Sequence, residues 1–282
     1  MHDTDRFAFG RNWQAFLSVV NEESVRSAET SLRTLLGVEH LAGKRFVDIG
    51  SGSGLSSLAA RHLGATVHSF DYDPQSVACT ATLRQRYFPD DPLWTVEQGS
   101  ALDTVYLSTL GQADVVYSWG VLHHTGAMWQ AVENLFPLVA PGGTLALALY
   151  NHQGLATKVW TAVKKAYVSS PAMFKPLIAA LVCAHFEGWH MVDRLLHLKN
   201  PLPCEDWRQY RSQRGMSRWY DYVDWAGGYP FETVTPDQVF DCVHPRGYEL
   251  IYLRTQGAGL GCNEFTFRQK QPGEPGYKPC AE

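Results

Sequence analysis

The sequence lacks the cysteine spacing and the charge pattern of several large protein classes. Its cysteines are scattered, and no two form a C-x-x-C pair: Cys79, Cys183, Cys204, Cys242, Cys262 and Cys280. This spacing excludes a zinc framework and a compact disulfide pattern, and it favours a reducing compartment, the cytoplasm. Lys and Arg number 24 against 28 Asp and Glu, without a long basic run. We therefore expect no nucleic acid as the main partner.

Long apolar runs are also missing. The N-terminal segment MHDTDRFAFGRNW lacks the basic and then apolar parts of a signal peptide. The longest apolar stretch, residues 177–184 (LIAALVCA), is far below the roughly 20 residues of a membrane-spanning helix. We expect a soluble protein with no stable membrane insertion, in which this stretch is a buried helix. Attachment to a membrane surface is the less favoured alternative, because the stretch lacks a basic polar face.

Segments typical of strands and of helices alternate through the first half of the chain. Strands are predicted at residues 46–49, 65–73, 93–100, 113–120 and 142–150, and helices at 55–63, 76–87 and 128–139. Such alternation predicts βαβ units, and hence a doubly wound α/β fold whose mostly parallel sheet is covered on both faces. Apolar positions at helical spacing also predict one or two helices within residues 12–36, ending at Gly37.

The first predicted strand ends in a glycine-rich turn, VDIGSGSG, with Gly50, Gly52 and Gly54 just before a helix. Ligands of doubly wound folds bind at this edge of the sheet, where glycines let the backbone approach a ligand and a helix N-terminus offers free N–H groups. Asp71 lies at the end of the second predicted strand, where a ribose would need a hydrogen-bond acceptor. A plain structural turn is the alternative, but the turn and the acid together favour a nucleoside-containing ligand.

Five segments, in order, resemble the motifs of class I S-adenosylmethionine-dependent methyltransferases: VDIGSGSG, FDYDP, EQGSALD, DVVYSWGVLHHT and LFPLVAPGGTLALALYN. The terminal YELIYLRTQG…CNEFTFRQ resembles the antiparallel hairpin that completes their seven-stranded sheet. The resemblance implies methyl transfer with S-adenosyl-L-methionine as the cofactor. It also implies cofactor contacts by Asp48, Gly50, Ser51, Gly52, Gly54, Asp71, Tyr72, Ser100, Ala101, Ser118 and Trp119. Ser100 stands where these enzymes usually have an aspartate.

His123 and His124 follow the fourth predicted strand and are the candidate catalytic residues. A hydroxyl acceptor generally needs a positioned base, and the pKa of histidine suits that task. Adjacent residues of a helix point to different sides, and the resemblance favours His124 as the one near the cofactor. An ordinary role in capping the next helix remains open for both. No metal is expected, since adjacent histidines do not easily chelate one ion and no carboxylate stands close in sequence.

An insertion separates the fifth predicted strand from the C-terminal hairpin. Five segments are expected: an N-terminal helical segment (1–43), a cofactor-binding core (44–150), a helical and aromatic substrate lid (151–230), a C-terminal helix and β-hairpin (231–270) and a disordered tail (271–282). The aromatic part of the lid offers ring faces, cations and carboxylates, a mixture that favours sugar-like ligands. Its candidate substrate-binding residues are Arg218, Trp219, Tyr220, Asp221 and Trp225. Alternatively, the tryptophans fill the core between the lid and the sheet.

The expected function is methyl transfer to a hydroxyl of a polar small molecule, such as a sugar, a glycan or a specialised metabolite. N-methylation of an amino group in a small molecule or peptide is the alternative. A modifier of protein or RNA, and a cofactor-binding protein without turnover, are the other classes left open. The oligomeric state does not follow from the sequence.

Overall fold

The computed structural model of the chain describes residue 17 and residues 20–200, 218–257 and 259–276. Its seven strands form one sheet: β1 (Arg45–Ile49), β2 (Thr66–Asp71), β3 (Trp94–Gln98), β4 (Ala113–Trp119), β5 (Val139–Tyr150), β6 (Tyr248–Arg254) and β7 (Cys262–Gln269). The strand order is β3-β2-β1-β4-β5-β7-β6. The first five strands in this order are parallel, and β7 is antiparallel to both of its neighbours. The predicted doubly wound, mostly parallel sheet is confirmed.

The helices of the described residues are α1 (Glu22–Leu36), α2 (Leu55–His62), α3 (Pro74–Tyr87), α4 (Thr104–Leu110), α5 (Met128–Leu135), α6 (Leu155–Ser169), α7 (Lys175–Leu196), α8 (Arg218–Gly227) and α9 (Pro236–Val243). Alternate residues of each strand face opposite sides of the sheet. Phe46 therefore packs in one core with α1, α2 and α3, while Val47 packs in the other with α4, α5 and α9. Both faces are covered by helices, as βαβ connections require.

Several elements differ from the predicted ones, and three of the differences have a local cause. The predicted second strand overran by two residues, because Asp73 is the N-cap of α3 and its carboxylate accepts from the Gln75 N–H at 2.9 Å. The predicted helix at 128–139 ends at Leu135, where a single 3-10 turn, Phe136–Leu138, contains Pro137. The short helix α4 was not predicted; its first turn is capped by Asp103, whose carboxylate accepts from Tyr106 N–H at 3.0 Å.

The two ends of the described chain pack on the sheet domain. Asn21 caps α1 by accepting from Ser24 N–H at 2.9 Å, and Gly37 ends the helix with φ +66° as expected. Residues 12–16, 18 and 19 of the predicted N-terminal helices lie outside the described part. Residues 271–276 of the predicted tail contact β7, where Arg268 Nη1 donates to Glu274 Oε1 at 3.0 Å, and residues 277–282 are not described.

The insertion builds a small core of its own from α6, α7 and α8. The chain leaves the sheet and returns to it at one point, because Val234 N–H donates to Tyr150 O at 2.8 Å. The prediction of a buried helix at 177–184 is wrong for one face of α7: Ala179 and Val182 are buried, whereas Leu177 and Leu181 are exposed. Within the described residues, no helix has the length and apolar composition needed to cross a bilayer.

Candidate active site

The glycine-rich turn is pressed between β2 and the segment that follows β4. The N–H groups of Gly50 and Ser51 both donate to Phe70 O, at 2.9 and 3.0 Å, so the turn is tied to the end of β2. Gly50 has φ +78°, a conformation that L side chains rarely adopt. A Cβ atom on Gly50 would also lie within 2.8 Å of Val121 Cβ. Both the backbone conformation and the lack of space therefore require glycine at this position.

Asp71 lies at the carboxyl end of β2 and is bound to the glycine-rich turn. Its carboxylate accepts from the N–H groups of Gly52 and Asp73, each at 2.9 Å. Burial raises the pKa of Asp71 to about 6. Each carboxylate oxygen has two lone pairs, so these two N–H groups leave acceptor capacity for ligand hydroxyls. The side chain is only partly buried, which keeps that capacity accessible.

Asp48 lies in a buried hydrogen-bonded chain beneath the glycine-rich turn. Ser57 Oγ donates to the Asp48 carboxylate at 2.5 Å and contacts Ser69 Oγ at 2.6 Å, and Trp94 Nε1 donates to Ser69 Oγ at 2.9 Å. Burial raises the pKa of Asp48 to about 7, and the charge of Asp71 acts in the same direction. The chain joins β1, α2, β2 and β3, so Asp48 fixes the base on which the turn rests.

Two predicted cofactor-binding hydroxyls are engaged inside the protein. Ser51 Oγ lies 2.9 Å from Thr80 Oγ1, and Ser118 Oγ donates to Ile49 O at 3.0 Å. Both serines are buried. These contacts hold the turn to α3 and join the end of β4 to β1.

The other predicted cofactor residues lie at the carboxyl ends of the strands. Tyr72, after β2, is exposed, and Ala101, after β3, is buried. Ser100 Oγ accepts from Leu102 N–H at 3.2 Å. Trp119 ends β4; its Nε1 donates to Glu264 Oε1 at 3.3 Å, and its ring lines a cavity of about 400 Å³ beside α1. The predicted residues thus follow the edge of the sheet from β3 to β4.

The two candidate catalytic histidines adopt opposite tautomers. They lie in the 3-10 turn Leu122–His124, with ring centroids 4.5 Å apart. His124 Nδ1 is 2.7 Å from Pro230 O, which can only accept, so Nδ1 carries the hydrogen and Nε2 the lone pair. His123 Nδ1 accepts from Tyr150 N–H at 3.3 Å, so its Nε2 carries the hydrogen. That buried Nε2 has no hydrogen-bond partner among the described residues.

Burial keeps both histidines uncharged. It lowers the pKa of His124 to about 3 and that of His123 well below the usual range. The positive charge of Lys164 acts in the same direction on both pKa values. At neutral pH the pair therefore offers one hydrogen-bond donor and one acceptor, and no charge of its own.

Lys164 of α6 is a fully buried lysine beside the histidines, and sequence reasoning missed it. Its ammonium group donates to Trp225 O and lies 4.0 Å from the centroid of the Trp225 ring and 4.8 Å from that of Phe231. Burial lowers the pKa of Lys164 to about 7, against the opposing charge of Asp224. The available signal was helical periodicity, since Trp160 and Tyr167, at i−4 and i+3, share the buried face of α6.

The ring of Tyr150 connects the histidines to the lid. Its centroid is 3.8 Å from that of His123, 5.2 Å from that of Phe231 and 5.8 Å from that of Trp225. Trp225, a predicted substrate-binding residue, is therefore next to the candidate catalytic pair. Its buried Nε1 has no hydrogen-bond partner in the described part of the chain.

The other predicted substrate-binding residues are not assembled around the histidines by any described contact. Trp219 packs against the core of the insertion, and Asp221 in the first turn of α8 is partly buried. The side chains of Arg218 and Tyr220 lie outside the described residues. Of the three whose side chains the structure describes, Trp225 is the one with a described contact to the ring of Tyr150.

Comparison with known proteins connects this geometry with one domain family. Residues 47–145 match the family described as methyltransferase domain. The chain is 32% identical over 151 residues to trans-aconitate 2-methyltransferase of Delftia acidovorans, which covers 50% of each protein. It is 30% identical over 111 residues to ubiquinone biosynthesis O-methyltransferase of Psychrobacter arcticus, covering 39% of this chain and 42% of the relative. The chain thus spans about half the length, or less, of these curated relatives.

The sheet and its helices are also similar to solved structures. Magnesium protoporphyrin IX methyltransferase from Synechocystis PCC 6803, with bound SAH, matches with a TM-score of 0.52 at 13% identity over 89% of each chain. At that identity the likeness shows the fold alone.

Proposed function

Because residues 47–145 match a methyltransferase domain and the fold is that of class I S-adenosylmethionine-dependent methyltransferases, we propose that the chain transfers a methyl group to a hydroxyl of a polar small molecule. The observation that carries the choice of a hydroxyl is the orientation of His124. Its Nδ1–H is held by Pro230 O at 2.7 Å, and its Nε2 is the acceptor nitrogen. A hydroxyl acceptor needs such a group to receive its proton.

The described residues fit the cofactor. S-adenosylmethionine supplies a methyl group already activated by a positive sulfonium. Gly50, Gly52 and Gly54 expose the backbone of the turn at the N-terminus of α2, and the Asp71 carboxylate would accept from the ribose hydroxyls. We assign the adenine side to Tyr72 and the segment that begins at Ser100. Ser51, Asp48 and Ser118 support the turn from below through the hydrogen bonds of their side chains.

The proton has a defined destination in this arrangement. As the hydroxyl oxygen forms its bond to the methyl carbon, the carbon–sulfur bond breaks and its electron pair stays on sulfur. The hydroxyl proton passes to Nε2 of His124. Because the pKa of His124 is lowered to about 3, this transfer is easiest from an acidic hydroxyl, such as that of a phenol or an enol.

Lys164 favours the same class of acceptor. Its buried ammonium stabilises negative charge developing on a nearby oxygen, and such stabilisation is stronger in a site from which water is excluded. The His123 and Trp225 N–H groups that have no partner among the described residues are further donors for such an oxygen. A sugar or glycan acceptor remains the less supported choice, because Trp219 packs in the core of the insertion.

Transfer to an amine is the second candidate, and one observation favours it. An amine attacks only when it is uncharged, and the burial that lowers the pKa of Lys164 and of the histidines would also lower that of a bound amine. Such an acceptor would not need His124 as a base. The effect of a His124 substitution therefore separates the two candidates.

Cofactor binding is measured first, by calorimetric titration of S-adenosylmethionine and S-adenosylhomocysteine into the full chain. Asp71→Ala removes the acceptor for the ribose hydroxyls, and we expect its affinity to fall by about 10- to 100-fold. Asp241→Ala, at an exposed position on α9 outside the cofactor motifs, is the matched control and should bind as the unchanged protein does. Absence of binding by the unchanged protein would contradict the proposal.

Transfer is then measured with a labelled methyl donor and matched sets of phenols, sugars and amines. His124→Ala should lower transfer to a hydroxyl by about 10²- to 10⁴-fold and leave the cofactor affinity unchanged. If the unchanged protein methylates amines, and His124→Ala does so at least as fast, the second candidate replaces the first.

A further inference from the structure

Helix α7 presents an apolar stripe to solvent. Seven side chains on the helix and at the residue before it are between 46% and 77% exposed: Phe174, Leu177, Leu181, Trp189, Val192, Leu195 and Leu196. Their spacing places them on one side of the helix, the α7 stripe, while Ala179, Val182 and Glu187 on the other side are buried. A large exposed apolar surface of this kind typically marks a binding interface.

The segment that carries the α7 stripe is basic, although the chain as a whole has a net charge of −4. The charged residues of the segment 151–200 are Lys158, Lys164, Lys165, Lys175, Arg194 and Lys199 against Glu187 and Asp193. Lys164 and Glu187 are buried. The surface of this segment thus carries five cations and one carboxylate. Such a surface complements an anionic partner.

The dimensions of α7 suit an orientation parallel to a membrane surface. A helix of 22 residues is about 33 Å long. No helix in the described part of the chain can span a bilayer. Leucine, phenylalanine and tryptophan on one face, with lysine and arginine close by, form the pattern of helices that lie in the interface between lipid and water.

We propose that the α7 stripe docks the protein on the surface of an anionic lipid bilayer, with α7 lying in the plane of the interface. The apolar side chains insert among the acyl chains, and the exposed lysines of the same segment contact the anionic headgroups. A second copy of the chain is less suited to cover the stripe, because association through this face would bring two basic surfaces together. The proposal does not depend on the acceptor or on methyl transfer.

Vesicle co-sedimentation of the full chain tests the proposal. The probes are vesicles of phosphatidylcholine alone and of phosphatidylcholine mixed with phosphatidylglycerol. We expect binding to the mixed vesicles, weaker binding to the neutral ones and a loss of binding as salt is raised. Failure of the unchanged chain to sediment with the mixed vesicles would overturn the proposal.

Paired variants assign the binding to the stripe. Leu181→Asp combined with Val192→Asp should weaken binding to the mixed vesicles by about tenfold or more. The control is Val105→Asp on α4, an apolar residue that is 76% exposed outside the insertion and should bind as the unchanged chain does. Circular dichroism and cofactor affinity show that each variant is folded. Equal binding by the stripe variant and the unchanged chain would overturn the proposal.

Sedimentation velocity without lipid tests the alternative that a second copy of the chain covers the α7 stripe. We expect the same mass for the unchanged chain and the stripe variant. A dimer that dissociates in the stripe variant would assign the α7 stripe to contact between copies and overturn docking on a bilayer. Neither sedimentation measurement depends on methyl transfer. A negative result would therefore overturn membrane docking and leave the proposed methyltransferase activity untouched.

Discussion

Val121 fills the space that a side chain on Gly50 would need. A Cβ atom on Gly50 would lie within 2.8 Å of Val121 Cβ, and Val121 directly precedes the turn that holds His123 and His124. The glycine-rich turn is therefore packed against the residue that precedes the 3-10 turn Leu122–His124.

Gly50→Ala should abolish measurable binding of S-adenosylmethionine, because alanine meets both the left-handed strain and the collision with Val121. Gly43→Ala is the matched control: its φ of +74° is similar, but nothing lies within 4 Å of a Cβ there. The control should lose about 1 to 2 kcal/mol of stability and keep its cofactor affinity. Calorimetric titration compares the two, and equal affinity would contradict the role assigned to this contact.

Asp48 should make the protein less stable as the pH rises. Its pKa in the folded state, about 7, lies above the ordinary value of 3.8, so the folded state holds the proton more tightly than the unfolded state. The free energy of unfolding therefore falls between about pH 4 and about pH 7, by about 1 to 3 kcal/mol from this group.

Asp48→Asn should remove that decline, since Asn can still accept from Ser57. Other titrating groups act equally in both proteins, so the difference between their urea unfolding curves across this pH range isolates Asp48. Asp103→Asn provides the control for an aspartate at an exposed cap. Parallel pH dependence in Asp48→Asn and the unchanged protein would show that the carboxyl is not the source.

Lys164 should make the protein more stable as the pH rises above about 7, the opposite of the effect of Asp48. Its folded pKa of about 7 is below the usual 10.5, so the unfolded state binds the proton more tightly and stability rises as the pH increases from about 7 to about 10.5. Lys164→Met should remove this rise. Under the proposed role it should also lower kcat/KM by about 10²-fold, with cofactor affinity unchanged.

Lys165→Met is the matched control for Lys164, because the neighbouring lysine is exposed on the same helix. We expect its pH dependence of unfolding and its kcat/KM to match those of the unchanged protein. If kcat/KM were unaltered in Lys164→Met, Lys164 would have no role in catalysis, and its contact with Trp225 would serve packing alone.

Glu232 should stabilise the start of α5. Its carboxylate accepts from Met128 N–H at 3.1 Å, at the positive end of the helix dipole. Glu232→Ala should lower the free energy of unfolding by about 1 kcal/mol, measured by urea titration. Glu39→Ala, at an exposed position outside α5, should leave it nearly unchanged. Equal losses would show that the contact with Met128 does not matter.

The sequence predicted the parallel sheet well because its signals are local. Phe46, Val47 and Ile49 are adjacent in sequence, and the glycines that follow them mark the turn without reference to distant residues. Local patterns predicted the ends of elements less well, because a residue that fits the pattern of one strand can be the cap of the helix that follows. Asp73 continued the alternating pattern of β2 but caps α3, and α4 is only seven residues long.

The chemistry of the candidate site depends on contacts between distant residues. The hydrogen on His124 is placed by Pro230, 106 residues further along the chain, and that on His123 by the Tyr150 N–H. No spacing pattern encodes these tautomers. The exposed face of α7 was missed for a related reason: the apolar composition of residues 177–184 indicates burial but not which side is covered.

The contact between Tyr150 and Val234 makes the insertion a separable module. Because the chain leaves and re-enters the sheet at hydrogen-bonded neighbours, neither the strand order nor the glycine-rich turn constrains how many residues lie between them. The insertion can thus diverge, lengthen or be exchanged while the sheet and the glycine-rich turn are kept. The sequence predicts the insertion to be a substrate lid, and on that prediction grafting residues 152–233 between proteins of this fold should change the acceptor and keep cofactor binding.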